Sequence, residues 1–162
     1  MKVNLKLNSL YKKLEKYKNF EANPKNCEKF LSIVEGIVLI GDPSSIEVLF
    51  KYFDDESEYS WVMESIMISL EHYKTTDFLN ELSKNPKFYW EKSPLRTRGL
   101  VYGILNSPKD FSELKNFIHN FNSKDPFVEV LFRIINLSEN PHHTKLIEKL
   151  KKELNHENKK QL

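Results

Sequence analysis

Between residues 35 and 73 three helical segments are separated by two different stops. An apolar helix ends at Ile40, the turn Gly41-Asp42-Pro43-Ser44 follows, and a second helix runs to about Phe53. The acidic corner Asp54-Asp55-Glu56-Ser57 then leads into a third helix. Glycine and proline stop a helix, whereas serine and aspartate start one. Apolar residues recur at spacings of three and four inside each segment, which is helical rather than strand periodicity. This punctuation fits helical hairpins and disfavours a sheet-based enzyme scaffold.

The same period continues in both directions. Leu7, Leu10, Tyr11, Leu14 and Tyr17 form one stripe; Cys27, Phe30, Leu31, Val34, Ile37 and Val38 form the next, after Asn23-Pro24. Ile46, Leu49, Phe50 and Phe53 form a third, with Ser44 or Ser45 as N-cap and Glu47 completing a capping-box pattern. A helix from about Glu58 to Tyr73 buries Tyr59, Val62, Met63, Ile66 and Leu70. Further segments start at Thr75, at Pro86 and after Pro94, the last ending near Asn106-Ser107-Pro108. Three more follow around Leu114, Leu131 and Leu150. The expected fold is all-α, with antiparallel helix pairs stacked as a HEAT-like α-superhelix. A chain of 162 residues with 40% hydrophobic residues supports one helical domain, residues 1–156, with a frayed tail at 157–162.

Charge is segregated along the chain. Asp42 to Glu81 holds ten acids against Lys51 and Lys74, whereas lysines crowd both ends, Lys2 to Lys18 and Lys145 to Lys160. An acidic block of this kind repels nucleic acid and attracts a basic protein. Only Arg96, Arg98 and Arg133 are arginines, which also argues against a nucleic-acid reader. No apolar run reaches signal-peptide or membrane-spanning length, so a cytoplasmic protein without membrane contact is expected.

No catalytic constellation emerges. The five histidines form neither a His-Glu-x-x-His pattern nor a zinc spacing with Cys27, so no metal, cofactor or enzymatic activity is expected. Cys27 lies in register with Phe30 and Val34 and reads as core. His142 and His143 follow Pro141 at a helix start and read as a polar turn, and Gly99-x-x-x-Gly103 reads as a close helix contact.

What remains is a docking surface. Trp61, Glu64, Ile68 and Glu71 share one helical face, which is either a second packing face or a recognition strip with an aromatic anchor among acids. Asp54, Asp55, Glu56 and Glu58 either cap the following helix or steer a basic partner.

The segment Gly41-Asp42-Pro43-Ser44, Phe53-Asp54-Asp55 and Met63-Glu64-Ser65-Ile66, followed by Trp90 and Gly103-Ile104-Leu105-Asn106-Ser107, resembles the immunity protein 30 family of bacterial polymorphic-toxin systems. The resemblance covers about residues 35–118. It implies a small cytoplasmic protein that binds and blocks a cognate toxin C-terminal domain of a contact-dependent inhibition or related system. A basic nuclease suits the acidic patch, with Tyr59 and Trp61 as apolar anchors and Asp54, Asp55, Glu56, Glu58, Glu64 and Glu71 as the charge. The alternative is a HEAT-like interaction scaffold without a toxin partner.

Overall fold

The structure is a computed structural model that describes residues 2–158. Among the described residues there are ten α-helices, one 3-10 turn and no strand, so the all-α expectation holds. The contacts divide the chain into two compact units, Met1–Lys74 and Thr75–Leu162, inside the span that the sequence pattern suggests as one domain. The helices pair within each unit, and these pairings do not establish a HEAT-like superhelix. Of the expected frayed tail, residues 157 and 158 continue a helix and 159–162 lie outside the described residues.

The first unit holds α1 (Lys2–Tyr17), a 3-10 turn (Pro24–Asn26), α2 (Cys27–Val38), α3 (Ser45–Phe50) and α4 (Ser60–Leu70). Helix α2 is central and packs on α1, α3 and α4. It buries Phe30, Val34 and Ile37, while Leu14, Leu49, Phe50, Val62 and Ile66 close around it. Cys27 is core as expected, and burial pushes its thiol pKa up, away from the reactive thiolate.

Helix α2 spans its stripe, whereas α3 stops at Phe50 before its stripe ends at Phe53 and α4 starts at Ser60, one residue after Tyr59. Helix α2 stops at Val38, and Gly41 takes φ +69°, a left-handed conformation that suits glycine. The expected serine cap at α3 does not form. Ser44 has helical dihedrals and no side-chain cap bond. Instead Asp42 Oδ1 accepts from the Ser44 N–H at 3.0 Å and the Ser44 hydroxyl at 2.7 Å. Ser45 is buried and accepts from the Tyr11 hydroxyl at 3.0 Å, and Glu47 pairs with Lys51 at 2.9 Å rather than completing a capping box.

The second unit holds α5 (Thr75–Lys84), α6 (Pro86–Lys92), α7 (Pro94–Asn106), α8 (Pro108–Ile118), α9 (Pro126–Asn136) and α10 (Pro141–Asn158). Five of these begin on proline, whose fixed φ suits the first helical turn. Asn85, Ser107 and Asp125 cap α6, α8 and α9 with side-chain oxygens. The aromatic run Phe88-Tyr89-Trp90 is the body of α6, with Tyr89 buried.

Two sequence expectations fail here. His143 is not in a solvated turn: it is 2% exposed, with Nε2 2.9 Å from Asn106 Oδ1 and Nδ1 2.7 Å from Ser138 Oγ. A carbonyl oxygen only accepts, so Nε2–H donates to Asn106, and Nδ1 of the neutral ring accepts from the Ser138 hydroxyl. Tyr102 covers the ring at 4.8 Å between centroids. The ring therefore ties the end of α7 to the start of α10. Burial first, and His142 second, lower the His143 pKa. The unfolded chain then binds more protons than the folded one as pH falls below the ordinary value of 6.5. Thermal stability is expected to decline on acidification from about pH 7 to about pH 5, and the decline should flatten in His143→Phe. Parallel melting curves for both chains would show no difference in slope if His143 is not the titrating group.

Gly103 is the second. A Cβ built there meets nothing within 4 Å, and the residue is exposed, so no helix packs closely on it. Glycine in an exposed helix interior costs backbone entropy and provides no packing to offset it. Gly103→Ala is expected to stabilise the chain by up to about 1 kcal/mol, and a lower melting temperature would contradict the open surface.

Candidate functional site: an acid-rimmed apolar face in the first unit

The loop from Phe53 to Tyr59 and helix α4 with its C-cap Glu71 carry every candidate residue. Asp54 is exposed, but its carboxylate is engaged: Oδ1 accepts from the Glu56 N–H at 3.0 Å, and the Asp54 N–H points at the Met63 sulfur at 3.3 Å. Asp54 is therefore part of the turn. Asp55 is half-buried, whereas Glu56 and Glu58 are exposed. Ser57 donates to Glu21 at 2.7 Å, which adds a fifth carboxylate that sequence spacing does not reveal, because Glu21 is 36 residues away.

Tyr59 does not enter the helical stripe. It is the N-cap residue of α4, half-buried, with its ring edge-on to Phe20 at 5.8 Å, and Phe20 in turn packs on Phe30 at 5.1 Å. The ring anchors the start of α4 to the core and offers only its outer part to solvent.

Along α4 the two readings of the stripe separate. Val62, Met63, Ile66 and Leu70 are buried, whereas Trp61 is 48% and Ile68 55% exposed. Glu64 and Glu71 are exposed beside them. The Trp61 face is thus solvent surface, not a second core. Exposed on one helix face and bordered by acids, Trp61 and Ile68 form apolar surface that a partner can cover.

The sequence pattern puts Leu31 and Val38 in the core stripe of α2. Both are half-exposed, and the following Leu39 is 87% exposed. Together with Ile68 they line an open groove of about 500 Å³. A signal exists in the sequence: Leu31 and Val38 are seven residues apart and sit one position off the Phe30, Val34, Ile37 line, so the apolar arc of α2 is wider than one partner helix needs.

Lysines gather elsewhere in the first unit. Lys16 and Lys29 stand 5.2 and 5.4 Å from the centre of the Tyr17 ring. Glu15 accepts from Lys18 at 2.7 Å and from the Tyr52 hydroxyl, which lowers the Glu15 pKa. Burial, then the Glu15 hydrogen bond, raises that of Tyr52. Among the described residues no group of histidine, cysteine and carboxylate side chains could hold a metal ion, and no helix is long and apolar enough to cross a membrane.

The model of the immunity protein 30 family matches residues 16–114, more than half of the chain. The chain belongs to the immunity protein 30 family. No curated protein and no solved structure matches it. The immunity protein 30 match contains α2 to α7, hence every candidate residue above, and ends inside α8. Several residues that carry the resemblance shape the fold of this immunity protein 30 family member. Gly41 supplies the left-handed turn, Asp42 the turn bonds before α3, Asn106 the His143 tie and Ser107 the cap of α8. The family is one of immunity proteins, which makes this chain an immunity protein against a toxin.

Proposed function

We propose that this chain neutralises a cognate toxin C-terminal domain by covering its active site with the acidic corner and the outer face of α4. The observation that carries the reading is the exposure of Trp61 and Ile68 on a helix face bordered by Glu64 and Glu71. An aromatic anchor ringed by charge is the composition of a binding hot spot. The exposed acids Glu56, Glu58, Glu64 and Glu71 of the first unit match a basic cleft, as a nuclease needs to hold its phosphate backbone. The setting is a contact-dependent inhibition or related polymorphic-toxin system, with inhibition in the cytoplasm, one chain occluding one toxin, without cofactor or turnover.

The test is protection. Cells that express the toxin domain encoded beside this gene should grow when the chain is present and arrest when it is absent. Glu56, Glu58 and Glu64 are exposed and have no ion-pair partner among the described residues, so reversing them to lysine spares the fold. That triple variant is expected to slow association by about tenfold or more at low salt and to flatten its salt dependence. Asp54 is left in place because it shapes the turn. Full-speed association by the folded variant would move the interface off the acidic corner.

A further inference from the structure

We propose that the groove between α2 and α4 seats an amphipathic helix of the toxin domain, with apolar side chains on its buried face and a lysine or arginine beside them. The inference rests on the immunity reading above and adds the partner's seating element. Leu31, Val38, Leu39 and Ile68 supply the apolar walls. The polar side chains on the α4 wall are committed to their own helix. Ser65 donates to the Trp61 carbonyl at 2.8 Å, Ser69 to the Ser65 carbonyl at 2.8 Å, and His72 Nδ1 reaches the Ile68 carbonyl at 3.0 Å. Their donors are spent on the helix, so what they still offer an occupant is acceptors, the two hydroxyl oxygens and His72 Nε2, which suits a partner's cation.

Charge decides what else the occupant carries. Glu35 lines the groove, and Glu64 and Glu71 are exposed on the same helix as its α4 wall. None of the three has an ion-pair partner among the described residues, and no lysine or arginine lines the groove. An apolar side chain with a neighbouring cation satisfies both features. Leu31 to Leu39 spans about 12 Å at helical rise, two turns, which accepts anchors at i and i+4 of a partner helix. An extended strand is disfavoured because no sheet edge exists among the described residues to receive it.

The probes are the toxin domain from the neighbouring gene, catalytically inactivated, and overlapping 20-residue peptides that tile it. The chain has two tryptophans, so Trp90→Phe leaves Trp61 as the sole reporter on α4. One peptide, with apolar residues at i and i+4 and an adjacent basic residue, should bind the full chain and shift Trp61 emission to the blue. Leu39→Ser combined with Ile68→Ser should weaken toxin-domain binding about 30-fold or more through faster dissociation, with an unchanged melting temperature because both side chains are exposed. Glu35→Gln should weaken it about threefold to tenfold. Unaltered affinity in both variants, with association still slowed by reversal of Glu56, Glu58 and Glu64, overturns the groove while leaving the immunity reading intact. A wild-type chain that binds no toxin domain overturns both. Self-association that the Leu39/Ile68 double variant abolishes would assign the groove to a second copy of this chain and overturn the proposal.

Discussion

Trp61→Ala is expected to weaken the toxin complex by about 30- to about 1,000-fold, the equivalent of roughly 2 to 4 kcal/mol, while the melting temperature stays within a degree or two. The two halves of that expectation have one cause. Nearly half of the Trp61 surface is exposed in the free chain, so its removal leaves no cavity, whereas a partner that covers the indole loses all of that contact. The effect should sit in the dissociation rate, because an uncharged side chain does not steer encounter. A fall in melting temperature without loss of affinity would return Trp61 to the core side of α4. Affinity and stability both unchanged would remove it from the interface.

Phe30→Ala should have the largest effect on stability, about 3 to 5 kcal/mol, which corresponds to roughly 6 to 20 °C in melting temperature. Phe30 is fully buried on α2 and meets the Phe20 ring at 5.1 Å and the Tyr52 ring at 5.4 Å. Its loss removes the transfer energy of the ring, leaves a void and ends two tilted or edge-on ring contacts worth about 0.5 to 1.5 kcal/mol each. Phe20 also carries Tyr59 at the head of α4. Loosening Phe30 should therefore raise amide exchange at residues 59–61 before the rest of α4, which hydrogen exchange can read. A shift below about 2 °C would mean that the neighbouring rings close the void.

These variants separate two kinds of acid that look alike in sequence. Asp42 and Asp54 sit in turns and hold backbone N–H groups, so their replacement is a question of local structure. Glu56, Glu58 and Glu64 hold nothing with their carboxylates among the described residues and are available to a partner. Charge reversal at the second set probes binding without the confusion that the first set would bring.

The helical class, the turn at Gly41 and the starts at Pro86, Pro94 and Pro141 follow from the sequence by itself, because helix periodicity, glycine conformational freedom and the fixed φ of proline are local. The acidic block and the shared face of Trp61, Glu64, Ile68 and Glu71 are equally local, set by composition and 3.6-residue geometry. Whether that face is core or surface is not local, and only tertiary packing decided it. Helix α4 buries one side on α2, leaving Trp61 and Ile68 outside. The same holds for His143, whose polar turn became a buried tie once Asn106, 37 residues earlier, met the ring. It holds for Gly103, whose expected close packing needs a neighbouring helix that lies elsewhere. Leu31 and Val38 show the limit most plainly: an apolar stripe names the residues that avoid water, but only the placement of α4 determines which of them succeed and which are left lining a groove.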